Sequence, residues 1–79
     1  MDQPQHHAWV NLVAARHYTA HVTQDMFGDW TLRKVWGGIG SRRGGMSHTG
    51  LGSYEEGVDQ LQEIAKRRAL RGYQRVLAP

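Results

Sequence analysis

The apolar residues of this chain change their spacing at Ser53, and that change constrains the fold more than any other feature. Before Ser53, apolar and polar residues alternate through residues 17–23, which is typical of a half-buried strand. After Ser53, apolar residues recur at intervals of three or four through residues 58–65, which is typical of an amphipathic helix. We therefore expect an α+β fold, in which a small antiparallel sheet of four to five strands is covered by one α-helix.

The part of the chain before Ser53 divides into strands and turns. The predicted strands are residues 9–13, 17–23, 30–36 and 46–51. Residues 24–29 include Asp25, Gly28 and Asp29, a composition that favours a hairpin turn. Residues 37–45 are predicted to form a glycine-rich loop.

The predicted helix has recognisable ends. Ser53 and Glu56 match a capping box, in which a serine precedes the first turn and a glutamate follows three residues later. Acidic residues crowd the first turns and basic residues the last, as the helix dipole favours. Gly72 stands where a left-handed C-terminal cap is expected, and residues 73–77 could add a last short strand.

The chain has 79 residues and no cysteine, so a small domain must be stabilised without a disulfide or a thiolate zinc site. We expect the polar residues 1–8 to form a disordered lead and residues 9–77 to form a single domain. No apolar run approaches the roughly 20 residues that span a membrane, and no secretory signal is visible. The sequence therefore predicts a cytoplasmic protein without membrane contact.

Positive charge is concentrated in two segments that contain no acidic residue. Residues 30–53 hold four basic residues, and residues 64–79 hold five. Separation of this kind favours polyanions as partners, with nucleic acid first among them. For the second segment an alternative stays open, because basic residues near a helix C-terminus also complement its dipole.

The sequence contains no recognisable catalytic or metal-binding pattern. Gly38 and Gly40 are followed by Arg43 where a dinucleotide-binding fingerprint requires glycine, and there is no Gly-Lys-Ser/Thr P-loop. His17 and His21 share a strand face, but at the usual rise they are about 13 Å apart, too far for one metal ion. We therefore expect no cofactor, no metal site and no enzymatic activity.

The segment around Trp36 is the strongest candidate for a binding site. Seven of the ten glycines lie between Gly37 and Gly52, so a flexible loop follows the tryptophan. A ring at this position could stack on a sugar or a base while nearby basic residues hold phosphate. The alternative is burial of Trp36 in the core, as expected for Trp9 and Trp30. The predicted nucleic-acid contacts are Trp36, Gly37, Arg33, Lys34, Arg42 and Arg43.

From about Arg16 to Tyr73 the chain resembles the WGR domain. This domain occurs beside the catalytic region of DNA-damage-activated poly(ADP-ribose) polymerases and alone in short bacterial proteins. The resemblance is carried by the order and spacing of the strand with Tyr18, the strand Trp30–Val35, Trp36-Gly37, Ile39-Gly40, the glycine-rich loop, the Ser53-capped helix and Arg71-Gly72-Tyr73.

The resemblance implies a small sheet with one helix across it and, by analogy with the polymerases, contact with DNA near a strand break and with neighbouring protein domains. Trp36 matches the signature tryptophan and Gly37 the signature glycine. Gly38 stands in place of the motif arginine, and Arg42 and Arg43 are the nearby residues that could take over its charge.

Three functions are consistent with these features. The first is a non-catalytic module that binds nucleic acid, DNA rather than RNA, through the basic glycine-rich loop and Trp36. The second is a protein-interaction adaptor that uses the same sheet and helix surface. The third is a small nuclease that would need His48, but no convincing acid–base pair accompanies it. Charge separation favours the first, because adaptor surfaces usually mix charges.

Overall fold

The computed structural model describes residues 2–77, and this part of the chain forms one five-stranded sheet and one helix. The elements in chain order are β1 (Gln5–Asn11), β2 (Arg16–Gln24), β3 (Trp30–Gly38), β4 (Gly44–Gly50), α1 (Tyr54–Leu70) and β5 (Gln74–Val76). All neighbouring strands are antiparallel, in the order β4-β3-β2-β1-β5. The predicted α+β architecture, an antiparallel sheet with one helix packed against it, is confirmed.

The helix covers only one face of the sheet. Because neighbouring side chains on a strand point to opposite faces, the register divides the sheet into a covered face, which α1 packs against, and an open face. Tyr18 of β2 is paired with Trp36 of β3, and both belong to the covered face. His21 is paired with Arg33, and both belong to the open face.

The core lies between the centre of the sheet and the helix. Ala20, Val22 and Leu32 are almost fully buried, and Leu61 and Ile64 of α1 pack against them. Ala20 and Val22 follow the alternation predicted for β2, and Leu61 and Ile64 follow the predicted spacing of three to four on the helix. Burial of this small set of side chains provides the apolar contact between the two layers.

The first strand begins earlier than the sequence predicts. β1 spans Gln5–Asn11, so residues 5–8 belong to the sheet and the expected disordered lead is too long; Met1 lies outside the described residues. The cause is pairing with β2. This pairing continues along β2 as far as Val22, which is the partner of Gln5. Leu12 and Val13, predicted to be in the strand, are in the turn that follows it and are exposed.

Both ends of the helix agree with the prediction. The Ser53 hydroxyl accepts a hydrogen bond from the backbone N–H of Glu56 at 3.1 Å. At the other end Gly72 has φ +83°, a left-handed conformation that glycine adopts without steric cost. The N–H of Tyr73 then donates to the carbonyl of Arg68 at 2.9 Å. The chain reverses there and enters β5, the predicted last strand.

The β2–β3 and β3–β4 hairpins also follow the prediction, with small shifts at their ends. Asp25 holds the β2–β3 turn, because its Oδ1 accepts from the N–H groups of Phe27 and Asp29 at 2.9 and 3.0 Å. β4 spans Gly44–Gly50, so it starts two residues earlier than predicted.

Among the described residues, the helix is neither long nor apolar enough to cross a membrane.

Candidate nucleic-acid interface

Trp36 lies near the end of β3 on the covered face, beyond the part of the sheet that the helix buries. Its ring stacks on that of Tyr18, with centroids 6.3 Å apart and an interplanar angle of 20°. The side chain is 38% exposed, whereas that of Trp9, two strands away, is 3% exposed. Trp36 is therefore packed against Tyr18 and still partly exposed to solvent.

Gly45 makes this position of Trp36 possible. It is the β4 partner of Trp36. A Cβ atom at position 45 would lie 2.6 Å from Cζ2 and 2.9 Å from Nε1 of the indole. The ring therefore extends over the backbone of β4, where a side chain would displace it. One glycine of the predicted flexible loop thus has a packing role inside a strand.

A cleft of about 520 Å³ opens beside Trp36, at the C-terminal end of the helix. Its walls come from three parts of the chain: the β1–β2 hairpin, the end of β3, and the helix end with the residues after it. The lining residues are Asn11, Ala14, Arg16, Tyr18, Lys34, Trp36, Gly37, Arg68, Arg71 and Tyr73. A volume of this size is within the range of small-molecule sites, roughly 300–1,000 Å³.

The charge of the cleft is entirely positive. Its lining includes Arg16, Lys34, Arg68 and Arg71, and no Asp, Glu or His. Within residues 2–77 the ion pairing is confined to Glu63 and Lys66, whose Oε1 and Nζ are 3.7 Å apart on the helix surface. The four cleft cations thus have no carboxylate partner among the described residues. A cluster of this kind attracts anions.

Arg68 is held between two aromatic rings. Its Cζ lies 4.3 Å from the ring centroid of Tyr18 and 4.8 Å from that of Tyr73. Cation–π contacts of this geometry stabilise the guanidinium by about 0.5–2 kcal/mol each. The Nε atom of Arg68 is buried, and no acceptor lies within hydrogen-bonding distance among the described residues. The arginine is thus fixed at the cleft with a donor that its own chain leaves unsatisfied.

The titratable groups that line the cleft are one lysine, two tyrosines and three arginines. Burial raises the pKa of the Tyr18 hydroxyl above its ordinary value of 10.0, and the charges of Arg68 and Arg67 act in the opposite direction. Tyr18 is therefore neutral at physiological pH and cannot act as a base there. The lining contains no carboxylate and no imidazole.

A second hollow of about 400 Å³ adjoins the cleft on the side of the β3–β4 loop. Arg16, Trp36 and Gly37 line both spaces, so Trp36 lies between them. Arg43 contributes to the second hollow, where its carbonyl accepts from the N–H of Gly38 at 3.2 Å. The N–H of Ile39 donates to the carbonyl of Ala15 at 2.7 Å, which joins this loop to the β1–β2 turn.

The structure brings some of the predicted contact residues together and separates others. Trp36, Gly37 and Lys34 line the cleft, and Arg43 lines the neighbouring hollow. Arg42 is exposed on the loop and lines neither space. Arg33 lies on the opposite face of the sheet, because it is adjacent to Lys34 on one strand and therefore points the other way. The predicted set is thus not one surface.

Five residues that line the cleft are not among the predicted contacts: Arg16, Tyr18, Arg68, Arg71 and Tyr73. A signal for Arg68 was present, since it continues the apolar stripe of the helix at a position where an aliphatic residue is expected. Arg71 belongs to the acid-free C-terminal segment, whose helix-dipole interpretation competed with a binding role. For Arg16, Tyr18 and Tyr73 no pattern in the sequence indicated a contact with a ligand. Antiparallel pairing and the turn after the helix bring them to the same place.

Comparisons of the chain with protein-family models, with curated proteins and with solved structures find no match. The resemblance to the WGR domain therefore stays a prediction, which rests on the order and spacing of residues between about Arg16 and Tyr73.

Proposed function

We propose that this protein is a non-catalytic nucleic-acid-binding module whose principal contact is the cleft beside Trp36. The observation that carries the proposal is the combination in one concave site of an accessible tryptophan, four cations and no acidic group. DNA rather than RNA is the expected ligand, in line with the resemblance to the WGR domain.

The chemistry of the cleft matches the two parts of a nucleotide. A flat, partly exposed indole offers a stacking surface for a base or a sugar, and stacking contributes about 1–3 kcal/mol per base. Arginine and lysine side chains pair with phosphate oxygens, arginine with two parallel hydrogen bonds. Arg68, which lines the cleft, is one guanidinium that such an oxygen could contact.

A salt titration with a fluorescein-labelled oligothymidylate of about 12 nucleotides, a length within known single-strand site sizes, tests the proposal. If the four cleft cations each neutralise one phosphate, the log–log slope should be near −3, since single strands give about −0.7 per contact. The double variant Arg16→Gln, Lys34→Gln should make the slope shallower by about 1.4.

The matched control removes the same charge outside the cleft. Lys66→Gln with Arg75→Gln alters two basic residues that do not line the cleft, and it should retain the parent slope if the cleft is the binding site. If the control variant makes the salt slope shallower by as much as the cleft variant does, the oligonucleotide is attracted by the overall positive charge of the protein and not by the cleft. No measurable binding at low salt by the folded parent would reject the proposal and favour the protein-interaction adaptor.

A further inference from the structure

The open face carries a line of basic side chains that runs across the strands. His6, His21, Arg33 and His48 are successive Cα partners on β1, β2, β3 and β4, so all four project from the same face. We call this line the basic row. With strands about 4.8 Å apart, the row is roughly 14 Å long. It is separate from the cleft, which lies on the covered face.

No acidic residue compensates this row. None of the five strands contains Asp or Glu, and the acidic residues of the described chain lie at position 2, in the β2–β3 turn and in the helix. The other titratable group on the open face is His17, four residues from His21 along β2. On the edge strand β5, Arg75 is paired with Trp9 and belongs to the covered face.

The imidazoles of the row interact directly. The ring centroids of His6 and His21 are 3.6 Å apart, with the rings nearly perpendicular. Burial lowers the pKa of His21 below its ordinary value of 6.5, and the charges of His6 and Arg33 lower it further. Two positive rings this close repel each other, and nothing on the face offsets the repulsion. An anion laid along the row would relieve it and would draw protons onto the imidazoles.

The row suits an anion better than a metal ion. Among the described residues no group of three or more His, Cys, Asp or Glu side chains is placed to hold a metal. The guanidinium of Arg33, next in line to His21, would also repel a dication. A phosphate is attracted by both residue types, and Arg33 can hold it at any pH.

The surroundings of the row favour a nucleic-acid strand. Thr19, Val35 and Met46 form the next line of side chains on the same face, and Met46 is 65% exposed. A polarizable thioether and an aliphatic group beside a cationic row provide apolar contact for bases while the row holds the backbone. The helix packs on the other face, so no described element covers this surface.

We propose that the open face is a second nucleic-acid-binding surface, on which the basic row holds the phosphodiester backbone when its imidazoles are protonated. Because bound phosphate favours the charged imidazole, binding takes up protons and strengthens as the pH falls. The open face is separate from the cleft, and this proposal does not depend on the function proposed for the cleft.

The test measures binding of the labelled oligothymidylate at about pH 5.5 and about pH 7.5, the range in which imidazoles titrate. For the parent, the salt slope should be steeper at the lower pH by up to about 2, at about 0.7 for each imidazole that gains a proton on binding. The triple variant His6→Gln, His21→Gln, His48→Gln should lose this increase. His7→Gln is the matched control, because His7 neighbours His6 in sequence but faces the helix side; it should behave as the parent.

The cleft variant Arg16→Gln, Lys34→Gln separates the two proposals. If the cleft proposal holds, this variant should weaken binding at both pH values. Whether or not it holds, the variant should keep the difference in salt slope between the two pH values. If the salt slope differs between the two pH values by the same amount in the parent and in the triple variant, the basic row is not the source of that difference and the proposal is overturned. The proposal would also be overturned if His7→Gln removed the increase in salt slope as fully as the triple variant does.

Two further measurements test the proposal even if the triple variant does not fold. His48→Gln changes one exposed side chain on the edge strand β4, and it should remove about 0.7 of the slope increase. Calorimetry of the unaltered protein in two buffers of different ionisation enthalpy should show net proton uptake at about pH 6. No uptake would overturn the proposal. If the protein binds inorganic polyphosphate but not the oligonucleotide, the assignment to nucleic acid is overturned.

Discussion

Trp36 lies directly across from Gly45 on the neighbouring strand, and its indole occupies the space into which a side chain at position 45 would project. On its other side the same ring stacks on Tyr18. The backbone of β4 and the Tyr18 ring together orient the tryptophan towards the cleft. A residue that sequence analysis placed in a flexible loop thus determines the geometry of the candidate site.

Gly45→Ala should displace the Trp36 ring. The added Cβ would lie 2.6–2.9 Å from three indole atoms, and overpacking of this kind costs about 1–3 kcal/mol. Gly50→Ala is the control on the same strand, because a Cβ there meets nothing within 4 Å. Thermal unfolding and tryptophan fluorescence of the two variants check the prediction. It fails if both behave alike.

Ser53→Ala should destabilise the helix. It removes the hydroxyl that accepts from the N–H of Glu56, a loss worth about 1 kcal/mol at an N-cap. In a domain of this size, the melting temperature should fall by about 4–8 °C. Ser47→Ala on β4 leaves the helix cap intact and should have a smaller effect. An unchanged melting curve for Ser53→Ala would mean that the cap contributes nothing to stability.

Arg68→Met should separate binding from stability. The substitution keeps an unbranched apolar stem between Tyr18 and Tyr73 and removes the buried Nε that has no acceptor. Relief of an unsatisfied buried donor, about 1–3 kcal/mol, offsets the lost cation–π contacts. We expect a melting temperature at or above that of the parent, together with a salt slope shallower by about 0.7. A large loss of stability would show that the cation–π contacts dominate.

Arg43→Gln should weaken nucleic-acid binding more than Arg42→Gln. Arg43 lines the hollow that adjoins Trp36, whereas Arg42 is exposed on the loop and lines neither space. The two variants have equal net charge, so their difference reports position alone. Titrations of the labelled oligothymidylate with each variant, at the same salt concentration, measure this difference in affinity. Equal affinities would show that the loop contributes only general positive charge.

Stability should fall as the pH decreases through 6.5. Burial, as the largest cause, lowers the pKa of His21 and of His7 below that value in the folded protein. The unfolded chain then binds more protons than the folded chain, so the contribution of each residue is complete above pH 6.5 and is lost below it. Thermal unfolding between about pH 5 and 7.5 should show this decline, and His21→Gln should reduce it. A melting temperature independent of pH in the parent would contradict the prediction.

Local chemistry explains why much of the fold could be predicted. The alternation around Tyr18, the turn residues near Asp25, the Ser53 cap and Gly72 each act within a few neighbouring residues. The ends of β1 could not be predicted in the same way. Gln5 is in a strand because β2 provides it with a hydrogen-bonding partner, and such a partner is not visible in a local window.

The sequence by itself determined the class of fold, the position of the helix, and the surplus of positive charge around Trp36. Only the tertiary structure decided which charges act together. Arg33 and Lys34 are neighbours in the chain but lie on opposite faces, because side chains alternate along a strand. Arg16 and Arg68 are far apart in the chain but line one cleft, because strand pairing and the packing of the helix bring their ends of the elements together.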